Sequence, residues 1–199
     1  MKTSNLALIV TVASAVASAR TLGAQQGAAA APTHAGQWGI EAYAAETGGG
    51  GLLLFVAPAT ALVLDGSLAR TRSSSNDDGS GQPGGSYFRR IDLSFGLRHH
   101  AMVAPHVAAT FGAGVATLRE TQRFESSGNV GTLHSTFLGG YGEFGGQYIL
   151  NDHLAIGAAY RLDLRNVSSK RTDSSGFSSN ETGSAFGMTF LPIRATLYF

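Results

Sequence analysis

Residues 87–101, Tyr-Phe-Arg-Arg-Ile-Asp-Leu-Ser-Phe-Gly-Leu-Arg-His-His-Ala, decide how the chain folds. Ile91, Leu93, Phe95 and Leu97 share one parity, while Arg90, Asp92, Ser94, Gly96 and Arg98 share the other. Successive side chains on a strand point to opposite faces, so this segment is apolar on one side and carries charges of both signs on the other. The apolar side requires lipid or a core; the charged side requires water or partners.

The N-terminus sets the compartment. Lys2 is followed by the apolar run Leu6–Val16 and by the small residues Ala17-Ser18-Ala19, which is the pattern of a secretory signal. Cleavage is expected after Ala19 or Ala24, so residues 1–24 are read as the signal, 25–35 as a flexible leader and 36–199 as the folded domain. From Leu6 to Ala19 there are 14 residues, fewer than the roughly 20 that a membrane helix needs.

Cutting after Ala24 removes Lys2 and Arg20 and takes the formal charge from +1 to −1. No basic surplus points to nucleic acid. Cysteine is absent, which excludes a disulfide framework and thiolate metal ligation. The chain is 43% hydrophobic and only 14% charged, with 27 glycines. Beyond the signal, no uninterrupted apolar run reaches the length of a membrane helix. A chain of this kind crosses a bilayer with strands.

Eight strands are predicted. The first, Gln37–Ala45, places Trp38, Ile40, Ala42 and Ala44 outward and Glu41 inward. Gly48–Gly51 reads as a turn and Leu52–Ala57 as a short second strand, whose unbroken Leu52–Val56 run leaves the register open. Thr60–Arg72, Tyr87–Val103, His106–Glu120, Thr132–Leu150, His153–Val167 and Ala185–Phe199 follow. Gly pairs in Thr132–Leu150 suggest a bulge. In the last strand Leu191, Ile193, Ala195, Leu197 and Phe199 share the apolar face, opposite Arg194, Thr196 and Tyr198.

The connections alternate in kind. Ala57-Pro58-Ala59, Ala104-Pro105 and Asn151-Asp152 are short turns, with Pro58, Pro105 and Asp152 spaced 47 residues apart. Residues 73–86, 121–131 and 168–183 are polar, turn-forming and expected to be mobile loops, open to an extracellular partner. Short turns at one rim and long loops at the other are the pattern of a transmembrane β-barrel. The fold class read from the sequence is therefore all-β: an eight-stranded antiparallel up-and-down barrel.

The segment from Tyr148 to Arg161, YILNDHLAIGAAYR, with the terminal Leu197-Tyr198-Phe199, resembles the OmpA/OmpX-type eight-stranded outer-membrane barrels over residues 36–199. The resemblance implies an outer-membrane location in a Gram-negative-type bacterium and short turns on the periplasmic side. It also implies that Leu197, Tyr198 and Phe199 form a signal for the barrel assembly machinery. Two departures from the pattern are the short first hairpin and Pro192 in the last strand, where a ladder donor is missing.

By parity the lumen receives the acids Glu41, Asp65, Asp92, Glu143 and Asp163 and the bases Arg90, Arg98, Arg161, Arg165 and Arg194. An eight-stranded barrel is just wide enough for side chains to fill it. Unpaired buried charges are costly, so equal numbers predict networks with Arg forks on carboxylates. Small residues such as Ala108, Gly112, Gly114, Ala155, Gly157 and Ala159 leave room for the long side chains. Outside, Trp38, Tyr148 and Phe199 mark one rim and Tyr87 the other, while Arg70, Arg89 and Arg119 can reach lipid phosphates.

No catalytic, cofactor or metal site is expected. His99, His100, His106 and His153 read as interfacial residues near one rim, since metal ligation needs converging nitrogens. Adjacent His134 and Ser135 point to opposite faces, and His134 with Thr136 makes a poor nucleophile pair for lipid chemistry. Asp77 and Asp78 lack the fixed opposed geometry of acid–base catalysis. The expected function is a monomeric barrel among lipid and lipopolysaccharide, structural or adhesion-like, without a separate peptidoglycan-binding domain. A narrow solute pore is the runner-up and a lipid-modifying enzyme the third reading.

Overall fold

A computed structural model describes residues 33–44, 48–76, 83–126 and 129–199. The expected signal, most of the leader, and Asp77 and Asp78 lie outside the described residues. Eight strands follow in chain order: β1 Trp38–Ala44, β2 Gly49–Ala57, β3 Thr60–Asn76, β4 Pro83–Ala104, β5 Val107–Ser126, β6 Asn129–Asn151, β7 Leu154–Thr172 and β8 Ser178–Tyr198. Each pairs antiparallel with the next, and β8 returns to β1, closing a barrel.

Alternation dictates the outer wall. Leu93, Phe95 and Leu97 are exposed, whereas Ser94, Gly96 and Arg98, which alternate with them, are buried. The non-alternating Leu52–Val56 run resolves the same way: Leu52, Leu54 and Val56 face outward while Leu53 and Phe55 are buried inside. This strand is apolar on both faces because it meets lipid on one side and an interior core on the other. Aromatic rings reinforce the outer surface. Trp38 stacks on Phe199 at 4.4 Å, and Phe144, Tyr160 and Phe190 form a ladder across β6, β7 and β8 with centroids 5.4 and 4.7 Å apart.

The short turns share one construction. Each is preceded by a register shift that leaves a single outward residue unpaired: Val56, Val103 and Leu150. These three are again 47 residues apart, so the periodicity describes three hairpins of equal size with a bulge at the same place. No register shift occurs at the Gly pairs of β6, contrary to expectation.

Three further expectations need correction. Gly49–Gly51 belong to β2, paired with Glu41, Ala42 and Tyr43, and are not part of a turn. The described residues of the predicted loops 73–86, 121–131 and 168–183 are largely strand. β5 and β6 remain in register to Ser126 and Asn129, β7 and β8 to Thr172 and Ser178, and Ser73 pairs with Ser86. Strands of 19 to 23 residues are about twice what a membrane crossing takes. The wall therefore rises well beyond the apolar belt, because neighbouring ladders hold even Ser- and Gly-rich segments extended. Phe124 anchors this extension, lying beside Gly131 and under the Arg171 guanidinium.

The third correction concerns β8. Gly157 pairs with Arg194 but Ala159 with Leu191, so Pro192 and Ile193 sit opposite Ala158 alone. The extra residue reverses parity: Leu191 is buried in the lumen, while Phe186, Met188 and Phe190 face outward. Proline lacks the ladder donor, and a bulge is where a strand tolerates that loss.

Candidate functional site

The lumen is filled in layers. At the short-turn rim, Leu53, Phe55, Ala61, Val63, Ala108, Ile149, Ala155 and Tyr198 form a buried core, with Met102 against it. His100 belongs to this layer: it is 3% exposed, its ring lies 5.2 Å from Phe55 and its Nδ1 is 3.1 Å from Gln147 Nε2. Gln147 also donates to the Tyr198 hydroxyl at 3.0 Å. The expectation that His100 is interfacial fails because its parity turns it inward. His99, its neighbour, meets the Thr60 hydroxyl at 3.1 Å, and His153 contacts the Tyr198 carbonyl at 3.2 Å. The chain before β1 folds over the rim, with Gly36 N donating to Phe55 O and the Thr33 hydroxyl bonded to the Pro58 carbonyl.

Above this core lies a charged layer of Glu41, Asp65, Arg98, Glu143 and Arg194, all buried. Arg98 on β4 reaches Glu41 on β1 at 2.7 Å and Glu143 on β6 at 3.0 Å. Arg194 forks onto Glu143 with two bonds of 2.7 Å and approaches Glu41 at 3.1 Å. Asp65 is 3.9 Å from Arg98. Glycine makes these reaches feasible. Gly112 sits between Arg98 and Glu143 in the row of paired residues, Gly51 between Glu41 and Asp65, and Gly157 beside Arg194.

A second charged layer lies further from the short turns. Arg165 bonds Asp163 at 2.7 Å and Asp92 at 3.2 Å, and Arg161 bonds Asp163 at 3.2 Å and the Ser94 hydroxyl at 3.0 Å. The Arg161 guanidinium also lies 4.0 Å over the Tyr141 ring, which rests on the facing glycines Gly96 and Gly114. Arg90 stands 3.8 Å from Glu120, an inward acid that the sequence reading missed although its parity shows it. All ten expected lumen charges thus lie inside, in two groups rather than one.

A cavity of about 210 Å³ lies among the second group, lined by Tyr43, Asp92, Arg161 and Arg165 and reaching Ser67 on β3 and Phe186 on β8. Its side opening follows from the short first hairpin. β1 stops pairing with β8 at Ala44–Ile193 and β2 with β3 at Gly49–Ser67. Beyond those levels no strand pairs with these edges of β8 and β3 among the described residues. The lumen is therefore packed towards the short turns and notched towards the far end.

His134 and Ser135 separate as their adjacency requires. His134 faces outward, with Nδ1 3.2 Å from the Thr121 hydroxyl, whereas Ser135 is buried against the Ser169 hydroxyl at 2.8 Å.

An apolar outer band, a charge-paired interior and a ring of eight antiparallel strands define the fold of a small outer-membrane β-barrel. Solved structures share it. A major outer membrane protein from Thermus thermophilus superposes with a TM-score of 0.56 at 16% identity, covering 83% of this chain and all of that one. The outer membrane protein OprG from Pseudomonas aeruginosa superposes with a TM-score of 0.57 at 13% identity, covering 84% of this chain and 98% of that one. No protein-family model and no curated protein matches the sequence.

Proposed function

We propose that the protein is an outer-membrane β-barrel with a structural and surface-interacting role, its lumen plugged, without catalytic activity and monomeric in the bilayer. One observation carries this reading: the Arg98–Glu41–Glu143–Arg194 network joins opposite walls across the lumen, directly above an apolar core. Opening a path would expose ionised groups and break several charge-assisted bonds together. The strands rising beyond the belt carry the far rim outward, where an extracellular partner would meet it. Export through the secretory pathway accords with the N-terminal pattern. Docking on the assembly machinery accords with the alternation of Leu197, Tyr198 and Phe199 across the two faces of the wall.

Planar-bilayer recording tests the plug. Folded protein, identified by heat-modifiable gel migration, is expected to give no stable unitary currents. Stable currents that change in Arg98→Ala or Glu143→Ala would overturn the reading. They would favour the second one, a narrow path for small solutes, which the notched cavity supports.

A further inference from the structure

The outward face carries a second, unneutralised set of charges. Arg70 on β3 and Arg89 on β4 are directly paired across the ladder, both exposed and both outward. Direct cross-strand partners have Cβ atoms roughly 5 Å apart, and like charges in that position are destabilising. Arg119 and Arg123 on β5 occupy the two diagonal positions beside Arg89, since Ile91 pairs with Arg119 and Tyr87 with Arg123. Among the described residues the outward carboxylate at hand is Glu125, taken by Arg123 at 2.8 Å. Arg70, Arg89 and Arg119 have no carboxylate partner among the described residues.

The position of this cluster selects what would neutralise it. Along β3 the outward sequence runs Leu64, Leu68, Arg70; along β4 it runs Leu93, Ile91, Arg89. Arg70 and Arg89 form the first row past the last aliphatic side chains of β3 and β4, and Arg119 stands beside Ile91 in the row before it, at the edge of the apolar band furthest from the short turns. Arg70 is held there by Tyr87, its guanidinium 5.4 Å over the ring. At that level the bilayer presents headgroups, and Arg matches phosphate oxygens with a planar pair of donors.

We infer that Arg70, Arg89 and Arg119 form a binding site for the phosphate of a phosphorylated glycolipid of the outer leaflet, the anion relieving the repulsion between the paired arginines. The inference rests on the outer-membrane reading above. It adds a defined lipid contact on the β3–β5 face of the wall.

The test uses the mature full chain in dodecylmaltoside micelles, with folding established first by heat-modifiable migration. A chain that never gives the folded band would defeat the membrane reading itself. With the barrel folded, the midpoint of thermal loss of that band is measured alone and with bis-phosphorylated lipid A, phosphatidylglycerol or inorganic phosphate. Lipid A is expected to raise the midpoint of the wild type, and the other two probes to raise it much less. In Arg70→Gln/Arg89→Gln the lipid-free midpoint is expected to be unchanged or higher, because the repulsion is gone, while the lipid A shift is lost. Affinity for lipid A by native mass spectrometry should fall about tenfold or more in that variant. Arg123→Gln should fall less, since Arg123 already holds Glu125.

An equal lipid A shift in the double variant would overturn the site. So would a lower lipid-free midpoint in that variant, or an equal response to phosphatidylglycerol. A full response to inorganic phosphate would reduce the site to one for free anions.

Discussion

Arg194 on β8 places its two terminal nitrogens each 2.7 Å from one carboxylate oxygen of Glu143 on β6, spanning the lumen past the intervening β7. Glu143 simultaneously accepts Arg98 from the other side, so a single carboxylate holds two guanidinium groups. Removing that carboxylate leaves two buried cations to share Glu41, with Asp65 further off at 3.9 Å from Arg98. Glu143→Gln is expected to lower stability by roughly 3 to 5 kcal/mol, read from urea unfolding in lipid vesicles. Replacing Glu143 and Arg194 together by Leu and Met should lose less than the single change, because no charge is then left alone on that side. A larger loss in the double variant would refute this account of the layer.

The apolar layer at the short-turn rim is a true core, and a neighbouring pair on β2 isolates its contribution. Phe55 is 1% exposed and packs on His100 and Tyr198, whereas Val56 is 50% exposed on the outer wall. Phe55→Ala is expected to lose roughly 3 to 5 kcal/mol through the cavity it leaves. Val56→Ala, at a surface that lipid can refill, should lose far less. Equal losses in the same unfolding assay would show that the rim is not packed as described.

The parity reversal at Pro192 has a direct spectroscopic signature. A nitroxide placed at Phe190→Cys should be relaxed by oxygen dissolved in lipid, and one at Leu191→Cys should be shielded from it. Simple alternation carried back from Phe199 requires the opposite pair of results. Deleting Pro192 should still give the folded band with the same pair of results, because Ile193 then faces Ala158 alone and Leu191, Phe190, Met188 and Phe186 keep their faces.

The β7–β8 connection is a tight turn whose integrity depends on an ionised side chain. Asp173 accepts from the Ser175 hydroxyl at 2.6 Å and from the backbone N–H groups of Ser175 and Phe177 at 3.0 Å each, and Gly176 adopts φ +81°. These bonds, that of the Ser175 hydroxyl foremost, hold the Asp173 carboxyl below its usual range. A depressed value means that the turn is fully supported above the ordinary Asp pKa, about 3.9. The support is lost as pH falls through the lower folded value. Amide NMR shifts of Ser175 and Phe177 are expected to stay constant from neutral pH to about 4 and to move below it. Asp173→Asn should abolish that titration.

How far the sequence could be read is clear from particular residues. Strict alternation in residues 87–101 and 153–167 placed Arg98, Arg161, Asp163 and Arg165 inside, because parity is local and each strand carries it whole. Parity could not carry across Pro192: one extra residue inverts every side chain before it, and Leu191 was therefore assigned to the wrong face. Ser-, Gly- and Thr-rich stretches such as 121–131 read as loops because those residues favour turns in isolation. In the barrel their amides are already committed to ladders propagated from the strands below.

From the order of its residues alone, this chain determined that it would form two-faced strands, eight in number, greasy on one side and ionised on the other. That much follows from periodicity and from the expense of leaving charge against hydrocarbon. Only the closed ring decided which ions meet. Glu41 and Arg98 lie 57 positions apart and Glu143 and Arg194 lie 51 apart, and both become neighbours only when the sheet curls shut. The same closure turned His100 and Phe55 into a core, while the register of the β3–β4 hairpin set Arg70 against Arg89, since pairing between strands is fixed by register and not by any property of one strand alone.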